Sequence, residues 1–164
     1  MAIITELKLD RNSSKPVFEL NHPSGMAITC LFDTGADTPV WCSGWEYFNF
    51  LYPDNYKVHG KFLLGGFGDG VSVVDMYVIP QFQIGNILFK QFHVAVDCHR
   101  RFAWDLVLSY TIFSKMDYTI LNRNRNIPLL RVEHDRSLYG TGIVMYEKDK
   151  EYVERIFSFL QPPH

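Results

Sequence analysis

Apolar and polar residues alternate along the first part of the chain, with the period that is typical of half-buried β-strands. The alternation covers residues 3–9 and resumes after turn residues at 17–20. A second turn, at residues 21–25, leads into an apolar run at 28–32. Strands that follow one another through short turns form a meander. The pattern therefore predicts a β-meander whose last strand ends at residue 32.

One segment has helical periodicity instead. Ser43 and Glu46 have the spacing of a capping box, and aromatic side chains then recur at helical intervals until Pro53 ends the run. These aromatic residues are Trp41, Trp45, Phe48 and Tyr52. We predict that this aromatic face packs in the core, and a platform for stacking sugars is the alternative.

Strand patterns dominate the rest of the chain. They occur at residues 58–64, 71–79, 87–96, 104–108, 117–121, 127–130 and 139–146. The sequence Ile-Gly-Asn-Ile at 84–87 predicts a tight hairpin turn, and apolar residues at helical spacing within 149–161 predict a C-terminal helix.

The segment 65–70 contains four glycines and predicts a mobile hairpin tip. A phosphate-binding loop is the competing interpretation. It fails because Val71 stands where the dinucleotide fingerprint requires glycine, and because no Gly-Lys-Ser or Gly-Lys-Thr occurs.

Composition favours one soluble domain that spans residues 1–164, with 131–164 as a C-terminal extension. The 164 residues are 47% hydrophobic and 21% charged, enough apolar material for a core. A net charge of −2 gives no electrostatic footprint for nucleic acid or acidic lipid, and no apolar run reaches membrane-spanning length. We therefore expect a cytoplasmic protein without nucleic-acid or membrane partners.

The three cysteines, Cys30, Cys42 and Cys98, are odd in number and lack the spacing of metal ligands. Buried free thiols are the favoured interpretation. We expect neither a metal nor a cofactor.

The strand that ends at residue 32 leads into the loop Asp33-Thr34-Gly35-Ala36-Asp37. A carboxylate that activates water is well placed where a buried strand ends in a tight loop. Gly35 would let the next peptide turn back toward the carboxylate, where a Cβ would be in the way, and Thr34 adds a hydroxyl that can lock the loop. An ordinary strand-to-turn Asp-Thr-Gly is the alternative interpretation. The five-residue form behind an apolar strand resembles the active-site loop of aspartic peptidases, most closely that of the retropepsin-like family.

The resemblance implies a mainly β fold, a retropepsin-like closed β-barrel or acid-protease half-domain with a few short helices. It implies an aspartic endopeptidase in which two carboxylates share one proton and activate water. The chain contains one Asp-Thr-Gly, so the second carboxylate is expected from Asp33 of a second copy, which makes the enzyme a homodimer. The partner besides the second copy would be a peptide or protein substrate.

The resemblance also implies the roles of the site residues. Asp33, Thr34 and Gly35 would form the catalytic loop, while Ala36 and Asp37 would line the cleft against the substrate backbone. Gly66, Phe67 and Gly68 would belong to a flap that covers the bound peptide, and a plain surface hairpin is the alternative.

Two positions depart from the pattern of the resembled family, within a resemblance that covers residues 1–131 and is most specific at 32–37. Ser109 stands where the family has a glycine after its second apolar strand. Tyr110 replaces an arginine that pairs with the acid matching Asp37, which would leave Arg100, Arg101 or water as partners for Asp37. These departures, together with the C-terminal extension, support a second hypothesis, a catalytically inactive protein-interaction domain with the retropepsin fold. A phosphatase with Asp33 as nucleophile is disfavoured because Gly35 occupies the place of its usual second acid.

Overall fold

The computed structural model of the protein describes residues 2–36, 38–58, 62–64, 72–97, 103–113, 116–121, 126–135 and 143–145. These residues are mostly in β-strands, which confirms the predicted mainly β class. The predicted C-terminal helix at 149–161 and the glycine-rich tip at 65–70 lie outside the described residues. No helix in the described part of the chain is both long and apolar enough to cross a membrane.

The strands are β1 (Ala2–Lys8), β2 (Val17–Asn21), β3 (Ala27–Asp33), β4 (Val40–Trp41), β5 (Tyr56–Lys57), β6 (Phe62–Leu64), β7 (Ser72–Ile84), β8 (Ile87–Val96), β9 (Leu106–Ser109), β10 (Asp117–Leu121), β11 (Leu129–Asp135) and β12 (Ile143–Met145). The helices are α1 (Trp45–Leu51) and a 3-10 helix (Tyr110–Phe113).

The tight turn between β7 and β8 has the predicted position. Ile84 pairs with Ile87 across a two-residue loop, and Gly85 has a φ of 56°, in the left-handed region that such turns require. β7 is longer than predicted because it continues through Pro80 to Ile84. Proline is tolerated there because the β7–β8 ladder passes from the Ile79–Phe92 pair to the Gln81–Lys90 pair with no pair at Pro80, and the described pairing with β5 ends at Val78.

The start of α1 differs from the predicted capping box. The helix follows Gly44, which has a φ of 86°, and no side chain caps it. The hydroxyl of Ser43 instead donates to the Asp105 carboxylate at 2.6 Å. A charged acceptor forms a stronger hydrogen bond than a neutral one, so Ser43 serves a tertiary contact and the capping prediction is wrong.

The described strands form two open sheets, so the expected closed barrel is wrong. The larger sheet follows the order β2-β3-β9-β4-β8-β7-β5, with β12 added beside β8 and β6 beside β7. The smaller sheet has the order β1-β11-β10. The barrel does not close because β1 meets β2 only at the bridge between Leu9 and Phe18, and then pairs along its length with β11.

The aromatic face of α1 packs in the core, as predicted. Trp41 and Phe48 are 1% and 0% exposed, and their rings lie 5.7 Å apart. Trp45 contacts Tyr77 of β7 at 4.7 Å between ring centroids. The helix is therefore held against the larger sheet by its aromatic side chains, which are not presented as a sugar platform.

Candidate active site

The Asp33 loop lies where the chain crosses the end of a neighbouring strand. β3 pairs in parallel with β9, with Asp33 opposite Ser109, and β9 pairs on its other side with β4. The residues between β3 and β4 must therefore pass over the carboxyl end of β9. Because parallel strands end at the same edge of a sheet, this crossing places the loop beside the last residue of β9.

The base of the loop is fixed by apolar packing. Phe32, the residue before Asp33, is 1% exposed and packs against Phe113 of the 3-10 helix and Tyr118 of β10. The ring centroids are 5.7 and 5.2 Å apart. The strand thus ends in a rigid cluster, and the next side chain, Asp33, is only half-buried.

The carboxylate of Asp33 is held by the backbone of its own loop. The Gly35 N–H donates to Asp33 Oδ1 at 2.8 Å, and the Ala36 N–H donates to the Asp33 carbonyl at 3.3 Å. Within the described residues, the Asp33 side chain forms no other hydrogen bond. The second carboxylate oxygen is therefore available to a water molecule or to a group from outside the chain.

A side chain at Gly35 would meet less steric obstruction than the sequence suggested. A Cβ at Gly35 would lie 3.4 Å from Asp33 Oδ1, which is close to an ordinary contact distance. The expectation that a Cβ would block the loop is therefore wrong for the single chain. What Gly35 contributes in the structure is its N–H group.

The structure brings together only part of the predicted site. Asp33, Gly35 and Ala36 are linked by the two loop hydrogen bonds, while Thr34 and Gly35 are exposed at the surface. The Thr34 hydroxyl forms no hydrogen bond in the part of the chain that the structure describes, so it does not lock the loop there. Asp37, Gly66, Phe67 and Gly68, together with Arg100 and Arg101, lie outside the described residues.

One residue that contacts the loop could not be recognised from the sequence as part of the site. The Ser109 hydroxyl donates to the Ala36 carbonyl at 2.5 Å, and Ser109 is completely buried. The sequence marked Ser109 only as a departure from glycine. The signal that could have identified this contact is the polar residue at the end of an otherwise apolar strand, had the parallel partner of that strand been known.

A second polar contact fixes the other end of β3. The Asp105 carboxylate accepts hydrogen bonds from the Thr29 N–H at 2.9 Å and from the Ser43 hydroxyl at 2.6 Å. The Asp105 N–H donates to the Thr29 carbonyl at 2.8 Å. Asp105 therefore clamps the start of β9 to β3, at the end of these strands remote from the Asp33 loop.

Two of the cysteines are buried free thiols, as predicted. Cys30 and Cys42 are 0% exposed, and their thiols donate to the carbonyls of Ile28 and Val40. Burial raises the pKa of both thiols, with a smaller contribution from nearby carboxylates, and that of Cys42 reaches about 12. Such thiols stay protonated at neutral pH and are poor nucleophiles. Cys98 lies outside the described residues.

A cavity of about 810 Å³ lies away from the Asp33 loop. It is lined by residues that include Ile28 at the start of β3, Leu20 of β2, Tyr52 after α1 and Gln81 of β7. Asp33 is not among the lining residues, and it lies five positions after Ile28 along β3. We do not assign this cavity to the candidate active site.

No protein-family model matches the chain. No curated protein matches it in sequence. In three dimensions the chain is similar to the crystal structure of a retropepsin-like aspartic protease from Rickettsia conorii, with a TM-score of 0.52 and 14% sequence identity. The similarity covers 82% of this chain and 92% of the Rickettsia chain. The protein therefore shares the fold of a retropepsin-like aspartic protease.

Proposed function

We propose that the protein is an aspartic endopeptidase that hydrolyses peptide bonds with water activated by two Asp33 carboxylates, one from each subunit of a homodimer. The observation that carries the proposal is the position of Asp33. Its half-exposed carboxylate stands at the end of a buried strand, with one oxygen fixed by the Gly35 N–H, in a fold similar to that of a retropepsin-like protease.

The chemistry follows from bringing two carboxylates together. At close range both cannot ionise, so the pair holds one proton. The ionised member removes a proton from water as the water attacks the scissile carbonyl, and the protonated member donates to the carbonyl oxygen. The Gly35 N–H holds one oxygen of each Asp33 and so orients the carboxylate for both tasks.

The exposure of the loop supports a site shared between two copies. Thr34 and Gly35 are exposed and Asp33 is half-buried, so the loop lies at the surface of the single chain. The sequence contains one Asp-Thr-Gly. A two-fold axis beside this loop would supply the second carboxylate and bury the loop at the same time. The exposed Thr34 hydroxyl and the Ala36 backbone would then face the partner and the substrate.

The first test is the variant Asp33→Asn. We expect it to fold normally and to lose at least about 100-fold in turnover, because it keeps the shape of the side chain but removes the base and the shared proton. Hydrolysis of a casein-like substrate should be measured between about pH 4 and 7, with and without pepstatin, and should be fastest in mild acid. More than about a tenth of wild-type turnover in the variant would contradict the assignment.

The second test distinguishes a shared site from a site within one chain. Wild type and Asp33→Asn are mixed in equal amounts, equilibrated, and assayed at constant total protein. A site that needs two intact Asp33 residues should retain about one quarter of the wild-type activity, whereas independent sites retain about half. Activity that stays proportional to concentration for a species that sediments as a monomer would also refute the shared site.

If the wild-type protein is inactive in these assays, the endopeptidase proposal fails and the interaction-domain hypothesis is the one that remains. Ser109, Tyr110 and the C-terminal extension are the sequence features that favour it. Ser109 forms a hydrogen bond with the Asp33 loop, so its presence in place of glycine does not by itself indicate lost activity.

A further inference from the structure

We infer that Ser109 is a positioning residue for the Asp33 loop. Its hydroxyl fixes the carbonyl of Ala36 and thereby holds the loop in the conformation in which Asp33 acts. The effect on turnover rests on the proposed function, but the effect on the loop does not.

Topology brings this residue to the loop. β9 lies between β3 and β4 in the sheet, and the chain that joins β3 to β4 crosses over the end of β9. Ser109 is the last residue of β9 and is in register with Asp33. This position brings the Ser109 side chain to the crossing loop.

A hydroxyl suits this position better than an apolar group. The distance from Ser109 Oγ to the Ala36 carbonyl oxygen is 2.5 Å, at the short end of the range for O–H···O hydrogen bonds. Ser109 is 0% exposed, so its hydroxyl is fixed within the core from which it donates to this carbonyl. Ala36 is half-buried, and loss of the Ser109 hydroxyl would remove the hydrogen bond that ties its carbonyl to β9.

The bond completes a set of three restraints on four residues. The Gly35 N–H is bound to the Asp33 carboxylate, the Ala36 N–H to the Asp33 carbonyl, and the Ala36 carbonyl to Ser109. The first two bonds lie within the loop and cannot fix it relative to the sheet. The third connects the loop to a neighbouring strand, 73 residues away in sequence. Ser109 therefore anchors the loop, and with it the carboxylate, to the core.

The matched experiment compares Ser109→Ala with Ser43→Ala. Both changes remove one hydroxyl that donates a short hydrogen bond, but Ser43 donates to Asp105 and does not touch the Asp33 loop. Two quantities are measured for each variant: the amide hydrogen exchange of Gly35 and Ala36 by NMR, and the kcat and KM for peptide hydrolysis.

We expect Ser109→Ala to speed exchange at Gly35 and Ala36 by about 10-fold, because the loop opens more often when its anchor is lost. We expect kcat to fall by about 10-fold or more, with KM changed by less than about 2-fold, since a misplaced catalytic group affects the reaction more than binding. Ser43→Ala should leave the exchange of both amides and the kcat of the folded protein close to wild type.

Unchanged exchange in Ser109→Ala, or an equal change in Ser43→Ala, would overturn the anchoring role. Faster exchange with unchanged kcat would overturn the catalytic consequence. If the wild type has no peptidase activity, the proposed function fails, and the exchange measurement still decides whether Ser109 holds the loop. If Ser109→Ala does not fold, Ser109→Cys is used instead, because it keeps a weaker donor. Its amide exchange rates at Gly35 and Ala36 should lie between the wild-type rate and about 10 times that rate. Exchange at the wild-type rate would refute the inference.

Discussion

Removal of the Asp105 carboxylate should destabilise the protein far more than removal of an exposed one. Asp105 is half-buried and accepts from the Thr29 N–H and the Ser43 hydroxyl. Hydrogen bonds to charged groups contribute about 1.5–3 kcal/mol each, and partial exposure favours the lower end. Two such bonds give a loss of about 3 kcal/mol in the free energy of unfolding for Asp105→Ala.

The variant Asp105→Asn should retain one of the two hydrogen bonds and lose the other. The amide retains one acceptor oxygen and turns a donor toward the other partner. We therefore expect its free energy of unfolding to lie between those of wild type and Asp105→Ala. The control is Asp10→Ala, because the exposed Asp10 carboxylate also accepts from one backbone N–H, that of Asn12, at 2.9 Å. This control should lose much less stability.

Urea denaturation followed by tryptophan fluorescence measures these differences through the midpoint and the slope. The expected order of stability is wild type, Asp10→Ala, Asp105→Asn and Asp105→Ala, from highest to lowest. If Asp105→Ala lies within about 1 kcal/mol of Asp10→Ala, the carboxylate does not clamp β9 to β3.

We expect Cys30 and Cys42 to react with thiol reagents only after unfolding, because burial raises the pKa of both thiols, to about 12 for Cys42. Rapid labelling of a folded Cys98→Ser chain near about pH 8 would contradict this expectation. For the same reason the contribution of Cys42 to the free energy of unfolding should be constant well below pH 9.0, the ordinary pKa of a thiol, and should fall as the pH rises toward 12, because the unfolded thiol loses its proton first. Urea titrations of wild type and Cys42→Ala on both sides of pH 9.0 isolate this contribution as the difference in slope. Gly85→Ala should lower the unfolding midpoint more than Gly25→Ala does. Both glycines have positive φ, but only a Cβ at Gly85 would overlap the methyl group of Thr5. Equal midpoints would show that the Thr5 side chain moves aside without cost.

Local features of the chain could be predicted because they depend on near neighbours in sequence. Alternation of apolar residues gave the position of β1, an apolar run gave that of β3, and the Gly-Asn pair gave the turn between β7 and β8. The Asp33 loop was recognisable because its residues are contiguous and follow an apolar strand. The similarity to a retropepsin-like protease structure supports the fold that this loop suggested.

Other local signals were misleading because a distant group offered a better partner. Ser43 has the spacing of a helix cap, but the Asp105 carboxylate, 62 residues later, binds its hydroxyl instead. Alternating strands are compatible with a closed barrel, yet β1 leaves β2 to pair with β11 and the larger sheet stays open.

The sequence by itself therefore determined the strand content, the tight turn after Ile84 and the candidate catalytic carboxylate, because periodicity and turn chemistry act over a few residues. Only the tertiary structure decided which strand lies between β3 and β4, because strand pairing joins residues far apart in sequence. That choice places Ser109 under the Asp33 loop, 73 residues from Ala36, and turns a departure from the expected glycine into a hydrogen-bonded anchor. No pattern of neighbouring residues could show this contact, since it exists only where the chain crosses the end of β9.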